Sequence, residues 1–297
     1  MGCLFLGAFR TRPDTACILR VSLSAAGRES STANTWIRLI MQMTTIYSSV
    51  LSVLKQILPD RVRQHRFWRR CLATCPDFKM SDLNRAAAEF LRSQSAEGLR
   101  SLKPRPQAAK AVKTIAATKF LDVDHWLRIN LVRAAALGLN RKPAKRVLDL
   151  GAGPGWFLAV CRFYSHEVQG FDLPYCEICP EDSTVYVELN RALRVAPDIH
   201  RGRITAFSPV EIDGEFDVIT AFLTCFNNHK SKETWQAAEW RFFLEDIKRH
   251  LRPRGILRLQ FNPDKQRFPR YLFFDAETRE LFRQHGSLSQ DTFTLLT

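Results

Sequence analysis

Three glycines, with one aspartate before them and another after, form the segment of this sequence that is best suited to bind a ligand. In VLDLGAGPGWF, Gly151 allows the chain to turn sharply, and Gly153 and Gly155 leave room for a ligand against the backbone. Asp149 precedes the turn, and Asp172 follows Gly151 by 21 residues. A carboxylate at that distance can accept hydrogen bonds from both hydroxyls of a ribose. The pattern therefore predicts a site for a nucleoside-containing cofactor.

Two cofactor classes fit a ribose-binding acid after a glycine turn. A nicotinamide dinucleotide site has the pattern G-x-G-x-x-G/A, whose last small residue lets the helix pack closely on the strand. That position is Trp156 here, which is too large for the role. The observed G-x-G-x-G, with Asp149 before it, closely resembles the first motif of class I S-adenosylmethionine-dependent methyltransferases. The resemblance covers roughly Asp122 to Asn262, and the nearest likeness is to bacterial methyltransferase-domain proteins.

The resemblance implies S-adenosylmethionine as the cofactor and methyl transfer to an acceptor as the activity. It implies that the glycine turn contacts the methionine part of the cofactor and that Asp149 holds its amino group. It also implies that Asp172 accepts the ribose hydroxyls, that Leu173 lies beside the adenine, and that Ala221 closes the pocket floor. The implied cofactor-binding residues are Asp149, Gly151, Ala152, Gly153, Gly155, Asp172, Leu173, Phe207 and Ala221.

The sequence departs from the family pattern at the predicted end of the third strand. Members of the family often carry an acid there that recognises the adenine amino group. Here the predicted strand ends in Ala206 and Phe207, followed by Ser208. Phe207 is therefore expected only to stack on the adenine ring.

No catalytic residue is assigned from the sequence. Methyl transfer from a sulfonium is an in-line displacement, so alignment of donor and acceptor supplies much of the acceleration. A general base is needed only for an acceptor that starts protonated. The candidates for such a base lie in the segment CFNNHKSKE and are Asn227, Asn228, His229 and Glu233. A histidine in a loop is more often a surface residue than a catalyst, so His229 is not assigned that role.

Two other patterns carry less weight. FNPD (261–264) superficially resembles the Asn-Pro-Pro-aromatic motif of enzymes that methylate the amino groups of nucleic-acid bases, but it lacks the second proline and the aromatic residue. The spacings Cys71-x3-Cys75 and Cys176-x2-Cys179 are compatible with a zinc or iron–sulfur site. The two pairs lie in different segments, so ordinary thiols are the favoured interpretation and no metal site is predicted.

Strands alternate with helices around the glycine turn. This alternation predicts an α/β fold with a doubly wound, mostly parallel, Rossmann-like methyltransferase sheet of six or seven strands. The predicted strands are 146–150, 167–173, 203–207, 216–222, 255–261 and TFTLL near the C-terminus, with 271–274 as a further candidate. The predicted helices within this region are 156–164, 183–193, 234–251 and 276–284.

Three regions are predicted along the chain. Residues 1–42 are expected to be a disordered extension or a mis-assigned start. Residues 43–139 form a basic helical region, in which Ser81–Asp82 and Asp122 are expected to cap helices. Residues 140–297 form the cofactor-binding domain. The helices that precede the sheet are expected to cover the cofactor and to shape the acceptor pocket.

The positive charge is concentrated before the sheet. Of the formal net charge of +14, residues 45–145 carry +13, residues 1–44 carry +3, and residues 146–297 carry −2. This asymmetry favours an anionic partner such as RNA, lipid headgroups or an acidic substrate, and a solvated basic surface is the equal alternative. A small or lipid-like acceptor is expected because no known RNA-binding module precedes the core. An RNA methyltransferase and a non-catalytic binding protein are the alternatives.

The apolar stretches and the cysteine content of the sequence indicate the cellular compartment in which the protein is expected. No stretch approaches the roughly 18 apolar residues of a membrane span, so no transmembrane segment is predicted. Eight cysteines without an extracellular-looking framework favour a reducing compartment. A cytoplasmic protein is therefore expected. The acceptor, the methylated atom and the oligomeric state do not follow from the sequence.

Overall fold

The computed structural model describes residues 67–69, 71–93, 99, 116–141, 143–224, 235–262, 274–289 and 291–297. The chain divides into two compact units, Met1–Phe67 and Trp68–Thr297. The elements below belong to the second unit, which contains the sheet together with the helices before it. The predicted domain boundary between residues 139 and 140 stays a prediction.

Six α-helices are described in this unit. Their bounds are α1 (Met80–Ser93), α2 (Val123–Ala136), α3 (Trp156–Phe163), α4 (Pro180–Ala192), α5 (Ala237–Lys248) and α6 (Ala276–His285). A short 3₁₀ helix (Ala116–Leu121) precedes α2. None of the helices in the described part of the chain has the length and apolar composition that a membrane span requires.

Side-chain caps explain where the two helices before the sheet begin. Asp122 caps α2, as predicted, because its side chain accepts a hydrogen bond from the backbone N–H of His125 at 3.2 Å. The predicted cap of α1, Ser81–Asp82, was placed too late in the chain. This helix begins at Met80, so Asp82 lies inside its first turn and accepts from the backbone N–H of Lys79 at 3.0 Å.

Seven strands form one sheet, which confirms the predicted fold class. They are β1 (Arg146–Leu150), β2 (Glu167–Asp172), β3 (Ile199–Arg201), β4 (Phe216–Thr224), β5 (Leu251–Phe261), β6 (Ser287–Leu288) and β7 (Thr292–Leu296). The order is β3-β2-β1-β4-β5-β7-β6, with β1 to β5 parallel and β7 antiparallel to both neighbours. The strand order reverses between β1 and β4, and ligands bind in the crevice outside the strand ends at such a point.

The predicted position of the third strand was wrong. The strand is Ile199–Arg201 rather than residues 203–207, and Ile199 pairs with Gly170 of β2. Ile199 is buried in this register, whereas Phe207 is exposed and has a φ of 57°, which lies outside the extended region of regular strands. The alternating apolar residues of RITAF (203–207) have the pattern of a strand, which explains the wrong prediction. The sixth strand follows α6, and most of the predicted candidate 271–274 lies outside the described residues.

Helices cover the sheet on both faces, as the predicted fold requires. Buried side chains of α1, α2, α3 and α4 pack on one face against Val147 and Val218. Those of α5 and α6 pack on the other face against Leu148 and Leu257. The residues before β1 therefore share a hydrophobic core with the sheet.

A buried carboxylate holds the connection between β3 and β4, which contains neither helix nor strand. Asp246 of α5 accepts a hydrogen bond from the backbone N–H of Val210 at 2.8 Å and another from the side chain of Arg249. Val210 and Ile212 are buried in the core on this face. Asp246 therefore supplies an acceptor for one buried backbone N–H of this irregular connection.

Asp246→Ala should lower stability, because it leaves the buried N–H of Val210 without an acceptor. We expect the free energy of unfolding to fall by about 1–3 kcal/mol, which lowers the Tm by several degrees. Thermal denaturation of the full chain measures this. Asp213→Ala, at an exposed position of the same connection, is the control and should leave the Tm unchanged. Equal Tm values for the two variants would contradict the anchoring role.

Candidate active site

The glycine turn after β1 has the backbone conformation that only glycine adopts readily. Gly151, Gly153 and Gly155 have φ values of 71°, 51° and 78°. The backbone N–H of Gly151 donates to the carbonyl of Phe171 at 2.7 Å, which joins the turn to the end of β2. A Cβ at Gly151 would lie 2.7 Å from the Thr224 side chain. The end of β1 thus requires glycine for both conformation and space.

Gly153 and Gly155 have different surroundings. A Cβ at Gly153 would lie at ordinary contact distance from its neighbours, 3.9 Å from the Gly151 carbonyl oxygen and 4.0 Å from the Tyr186 ring, so only the positive φ disfavours a side chain here. A Cβ at Gly155 would lie 2.4 Å from Val195 Cγ2 and 3.1 Å from Asn190 Nδ2. Gly155 therefore allows close packing inside the protein, whereas Gly153 leaves the backbone accessible to a ligand.

A cavity of about 200 Å³ lies beside this turn. Four of the predicted cofactor-binding residues line it, namely Asp149, Gly151, Ala152 and Gly153. The predicted residues Gly155, Asp172, Leu173, Phe207 and Ala221 do not line it. Other lining side chains come from the 3₁₀ helix before α2 and from α2, α4 and the end of β4, and include Phe120, Asn130, Arg133, Tyr186 and Phe222. The cavity is therefore built by the helices that precede the sheet as well as by the sheet.

Asp149 is a carboxyl group buried in the sheet, with 4% of its surface exposed. Burial raises its pKa from 3.8 to about 7. The hydroxyl of Thr220 donates to its Oδ1 at 2.7 Å, and this bond and the nearby Arg133 act in the opposite direction. A cationic group beside Asp149 in the cavity would favour the ionised form of this carboxyl group.

Arg133 brings a positive charge to the same cavity, and sequence reasoning missed it. Its side chain donates to the Oδ1 of Asn130 at 3.2 Å and to the Oε1 of Gln260 at 3.1 Å, and its guanidinium carbon lies 4.3 Å from the ring centre of Phe222. Burial lowers its pKa to about 10, and Asp149 acts against this. It therefore remains cationic at neutral pH, held by neutral oxygens and an aromatic face.

Asp172 lies at the end of β2, where the ribose-binding acid was predicted. Burial raises its pKa, and the backbone N–H groups of Leu173 and Gly153 and the guanidinium of Arg201 act in the opposite direction. Arg201 Nη1 lies 3.4 Å from Asp172 Oδ2 and donates to the carbonyl of Leu173 at 3.2 Å. An arginine at the end of β3 thus pairs with this acid.

A polar network joins this arginine to the glycine turn. Arg201 donates to the Oδ1 of Asn190 at 2.9 Å and to the hydroxyl of Tyr175, over whose ring its guanidinium lies at 3.8 Å. Tyr175 donates to the same Asn190 oxygen at 2.8 Å. Asn190 Nδ2 then donates to the carbonyl of Gly153 at 3.1 Å. The ends of β2 and β3, helix α4 and the glycine turn are therefore positioned together.

The remaining predicted contacts lie in different surroundings. Phe207 is in a turn, is 55% exposed, and has its ring 6.0 Å from that of Phe242. Leu173 is also exposed. Ala221 is buried in the core with α5 and α6, and its neighbour Phe222 lines the cavity instead. The adenine contacts through Leu173 and Phe207 stay predictions.

Aromatic side chains cover the cavity from the segment before the sheet. The ring of Phe120 lies 4.6 Å from that of Trp126 and 5.8 Å from that of Tyr186. Trp156 Nε1 donates to the carbonyl of Phe120 at 3.1 Å, and the backbone N–H of Ala117 donates to an Asp182 oxygen at 2.7 Å. The 3₁₀ helix is thus attached to α3 and α4, consistent with the expectation that this region covers the site.

Some predicted features lie outside the described residues. These are the base candidates Asn227, Asn228, His229 and Glu233, and the last two residues of FNPD. Among the residues that the structure does describe, no group of three or more His, Cys, Asp or Glu side chains is placed to hold a metal ion.

Several solved structures resemble this chain in fold. CalS10, an amino pentose methyltransferase from Micromonospora echinaspora solved with bound S-adenosylmethionine, is 24% identical over 48% of this chain and 54% of its own, with a TM-score of 0.34. DesVI of Streptomyces venezuelae is 17% identical over 42% of this chain and 46% of its own, with a TM-score of 0.30. The glycopeptide N-methyltransferase MtfA is 15% identical over 64% of this chain and 96% of its own, with a TM-score of 0.37.

The chain spans about half the length of the first solved structures it matches. No protein-family model matches the sequence, and no curated protein does. The fold assignment therefore rests on the strand order and register described above.

Asp149→Asn should stabilise the protein at alkaline pH. Between the ordinary pKa of 3.8 and the folded value of about 7, the folded chain binds a proton that the unfolded chain has lost. The free energy of unfolding therefore falls as the pH rises through this interval and is level above it. Asparagine removes this loss and keeps an oxygen for Thr220. We expect the Tm of the variant to exceed that of the parent by roughly 5 °C near pH 8, and by clearly less near pH 5.

Thermal denaturation at both pH values measures this difference, and Asp213→Asn at an exposed position is the matched control. A Tm difference that is the same at both pH values would contradict the role assigned to the buried carboxyl group.

Proposed function

We propose that this chain is an S-adenosylmethionine-dependent methyltransferase with a small or lipid-like acceptor. One observation carries the proposal. The buried acid Asp149, Arg133 and the backbone of Gly153 border the same cavity of about 200 Å³. The amino-acid end of the cofactor carries an ammonium and a carboxylate, so this combination fits both of its charges.

The chain's own residues would bind and orient rather than react. When bound, S-adenosylmethionine supplies an electrophilic methyl group on its sulfonium. Asp149 would accept hydrogen bonds from the ammonium, and Arg133 would donate to the carboxylate. The absent side chain at Gly153 would let the cofactor lie on the backbone. Such positioning accounts for the acceleration of an in-line displacement.

The ribose and adenine would lie towards the ends of β2 and β3. Asp172 is the proposed acceptor for the ribose hydroxyls, and the exposed side chain of Leu173 offers an apolar surface beside it. Gly151, Ala152 and Gly155 belong to the same proposed site, although Gly155 acts through packing. Phe207 keeps its proposed stacking role.

The aromatic side chains beside the cavity support the proposal of a small acceptor. Phe120, Trp126 and Tyr186 line the cavity beside the glycine turn. A concave site with aromatic rings in its lining suits a small molecule. An RNA acceptor bound through the basic region before the sheet is the alternative, and its binding would weaken steeply with salt.

Calorimetric titration of the full chain with S-adenosylmethionine, S-adenosylhomocysteine and NADH tests the cofactor. We expect both adenosyl ligands to bind with a Kd on the order of 10 μM and NADH not to bind. Arg133→Met should weaken binding about tenfold or more, because it removes the partner of the carboxylate. Asp172→Ala should abolish measurable binding, because the ribose loses its acceptor.

Arg128→Met is the matched control for Arg133→Met. Arg128 lies on the same helix but pairs with Asp124 and Asn84 instead of lining the cavity. It should bind within about twofold of the parent. A folded chain that binds neither adenosyl ligand would overturn the enzyme proposal in favour of a non-catalytic binding protein, and binding of NADH alone would indicate a nicotinamide enzyme.

Affinity for S-adenosylhomocysteine should rise with pH. Asp149 has a pKa of about 7 in the folded chain, and only its ionised form attracts the ligand's ammonium. Below that value the ionised fraction falls, so the Kd should increase by nearly tenfold for each pH unit. Titrations between about pH 6 and 8 in buffers of different ionisation enthalpy measure both the affinity and the proton released. An Asp149→Asn chain whose affinity keeps the same pH dependence would contradict this assignment.

A further inference from the structure

Two exposed cysteines lie on the connection between β2 and α4. Cys176 and Cys179 are both exposed, whereas Cys75 and Cys161 are buried and Cys71 is partly buried. Burial also raises the pKa of the Cys71 and Cys161 thiols. Two residues separate Cys176 from Cys179, which is the spacing of many redox-active thiol pairs. Among the described cysteines, these two therefore combine accessibility with a suitable separation.

The neighbouring side chains face the protein. Tyr175 donates its hydroxyl to Asn190 at 2.8 Å, and Arg203 Nε donates to Glu177 Oε2 at 2.8 Å. These contacts hold the residues on both sides of Cys176. The connection is thus attached to the protein through Tyr175 and Glu177 while both thiols are exposed to solvent.

The same connection touches the proposed cofactor site. It begins directly after Asp172 and Leu173, and Tyr175 lies against Arg201. Arg201 in turn lies 3.4 Å from Asp172 and donates to the Leu173 carbonyl. Arg201 therefore connects the residue next to Cys176 with the acid proposed to bind the ribose.

We propose that Cys176 and Cys179 form a reversible disulfide that weakens cofactor binding, an inference whose regulatory half rests on the proposed function. Hydrogen peroxide is the oxidant. One thiolate attacks a peroxide oxygen and becomes a sulfenic acid as the O–O bond breaks, and the hydroxide that leaves takes up a proton to form water. The second thiolate attacks the sulfenic sulfur and displaces hydroxide, which takes up a proton. Two thiols thus lose two electrons and two protons in total, and hydrogen peroxide becomes two waters.

Closing this bond would constrain the segment that leads into α4. A disulfide holds its two Cα atoms about 4.4–6.8 Å apart, with only two residues between them here. Cys179 is the residue immediately before α4, and its carbonyl accepts from the backbone N–H of Ser183 at 2.9 Å. The cross-link would therefore restrict the backbone at the start of α4 and next to Tyr175. Both are joined to Asn190 and the glycine turn.

The experiment compares the reduced, the peroxide-treated and the re-reduced full chain. Peptide mapping by mass spectrometry should show a Cys176–Cys179 cross-link with a loss of about 2 Da. The Kd for S-adenosylhomocysteine should rise about fivefold or more on oxidation, and should return after dithiothreitol. The double variant Cys176→Ser/Cys179→Ser should keep the affinity of the reduced parent and lose the response to peroxide. Cys71→Ser should keep the response.

The two readouts separate this inference from the proposed function. If the reduced chain binds S-adenosylhomocysteine and peroxide produces no Cys176–Cys179 cross-link, the inference is overturned. A cross-link that leaves the affinity unchanged overturns its regulatory half. If neither redox state binds the ligand, the proposed function fails, and the mapped cross-link alone supports or overturns the thiol pair.

Discussion

Asp149 is a carboxyl group at the centre of a parallel sheet, and the surrounding site depends on the difficulty of ionising it there. Transfer of a charge from water into such a place is unfavourable unless partners are supplied. Thr220 supplies one hydrogen bond and Arg133 supplies an opposite charge nearby. Neither restores an ordinary pKa, which stays at about 7. A cationic group beside Asp149 would therefore make its ionisation more favourable.

A second carboxylate lies at the end of the neighbouring strand, and the repulsion between the two raises the pKa of Asp149 further. The structure compensates for Asp172 differently, with Arg201 and two backbone N–H groups. Because Gly153 donates to Asp172 through its N–H and accepts from Asn190 through its carbonyl, the turn is held at both ends.

The parts of this site that the sequence predicted are the local ones. Gly151 was identifiable because a sharp turn after an apolar run needs positive φ, and Asp122 because a cap acts within three residues. Arg133 was not identifiable, since nothing in the pattern of α2 separates it from Arg128, and only the packing of the helix on the sheet decides which one lines the cavity. The predicted position of the third strand was wrong because pairing with β2, a non-local interaction, determines which three residues form the strand.

The difference between a local sequence pattern and the folded arrangement also affects the interpretation of the basic region before the sheet. Its excess charge suggested a polyanionic partner, yet several of its described arginines have acceptors within the protein. Arg85 pairs with Asp82, Arg128 with Asp124, and Arg141 with Asp77, and Arg133 is directed into the cavity. Pairs of this kind add little stability at a surface, and their acids are already counted in the net +13 of residues 45–145. Arg133, the one arginine of this group that lines the cavity, has neutral hydrogen-bond acceptors, and its nearby opposite charge is Asp149. The charge of Arg133 is therefore directed into the cavity and not towards a polyanion at the surface.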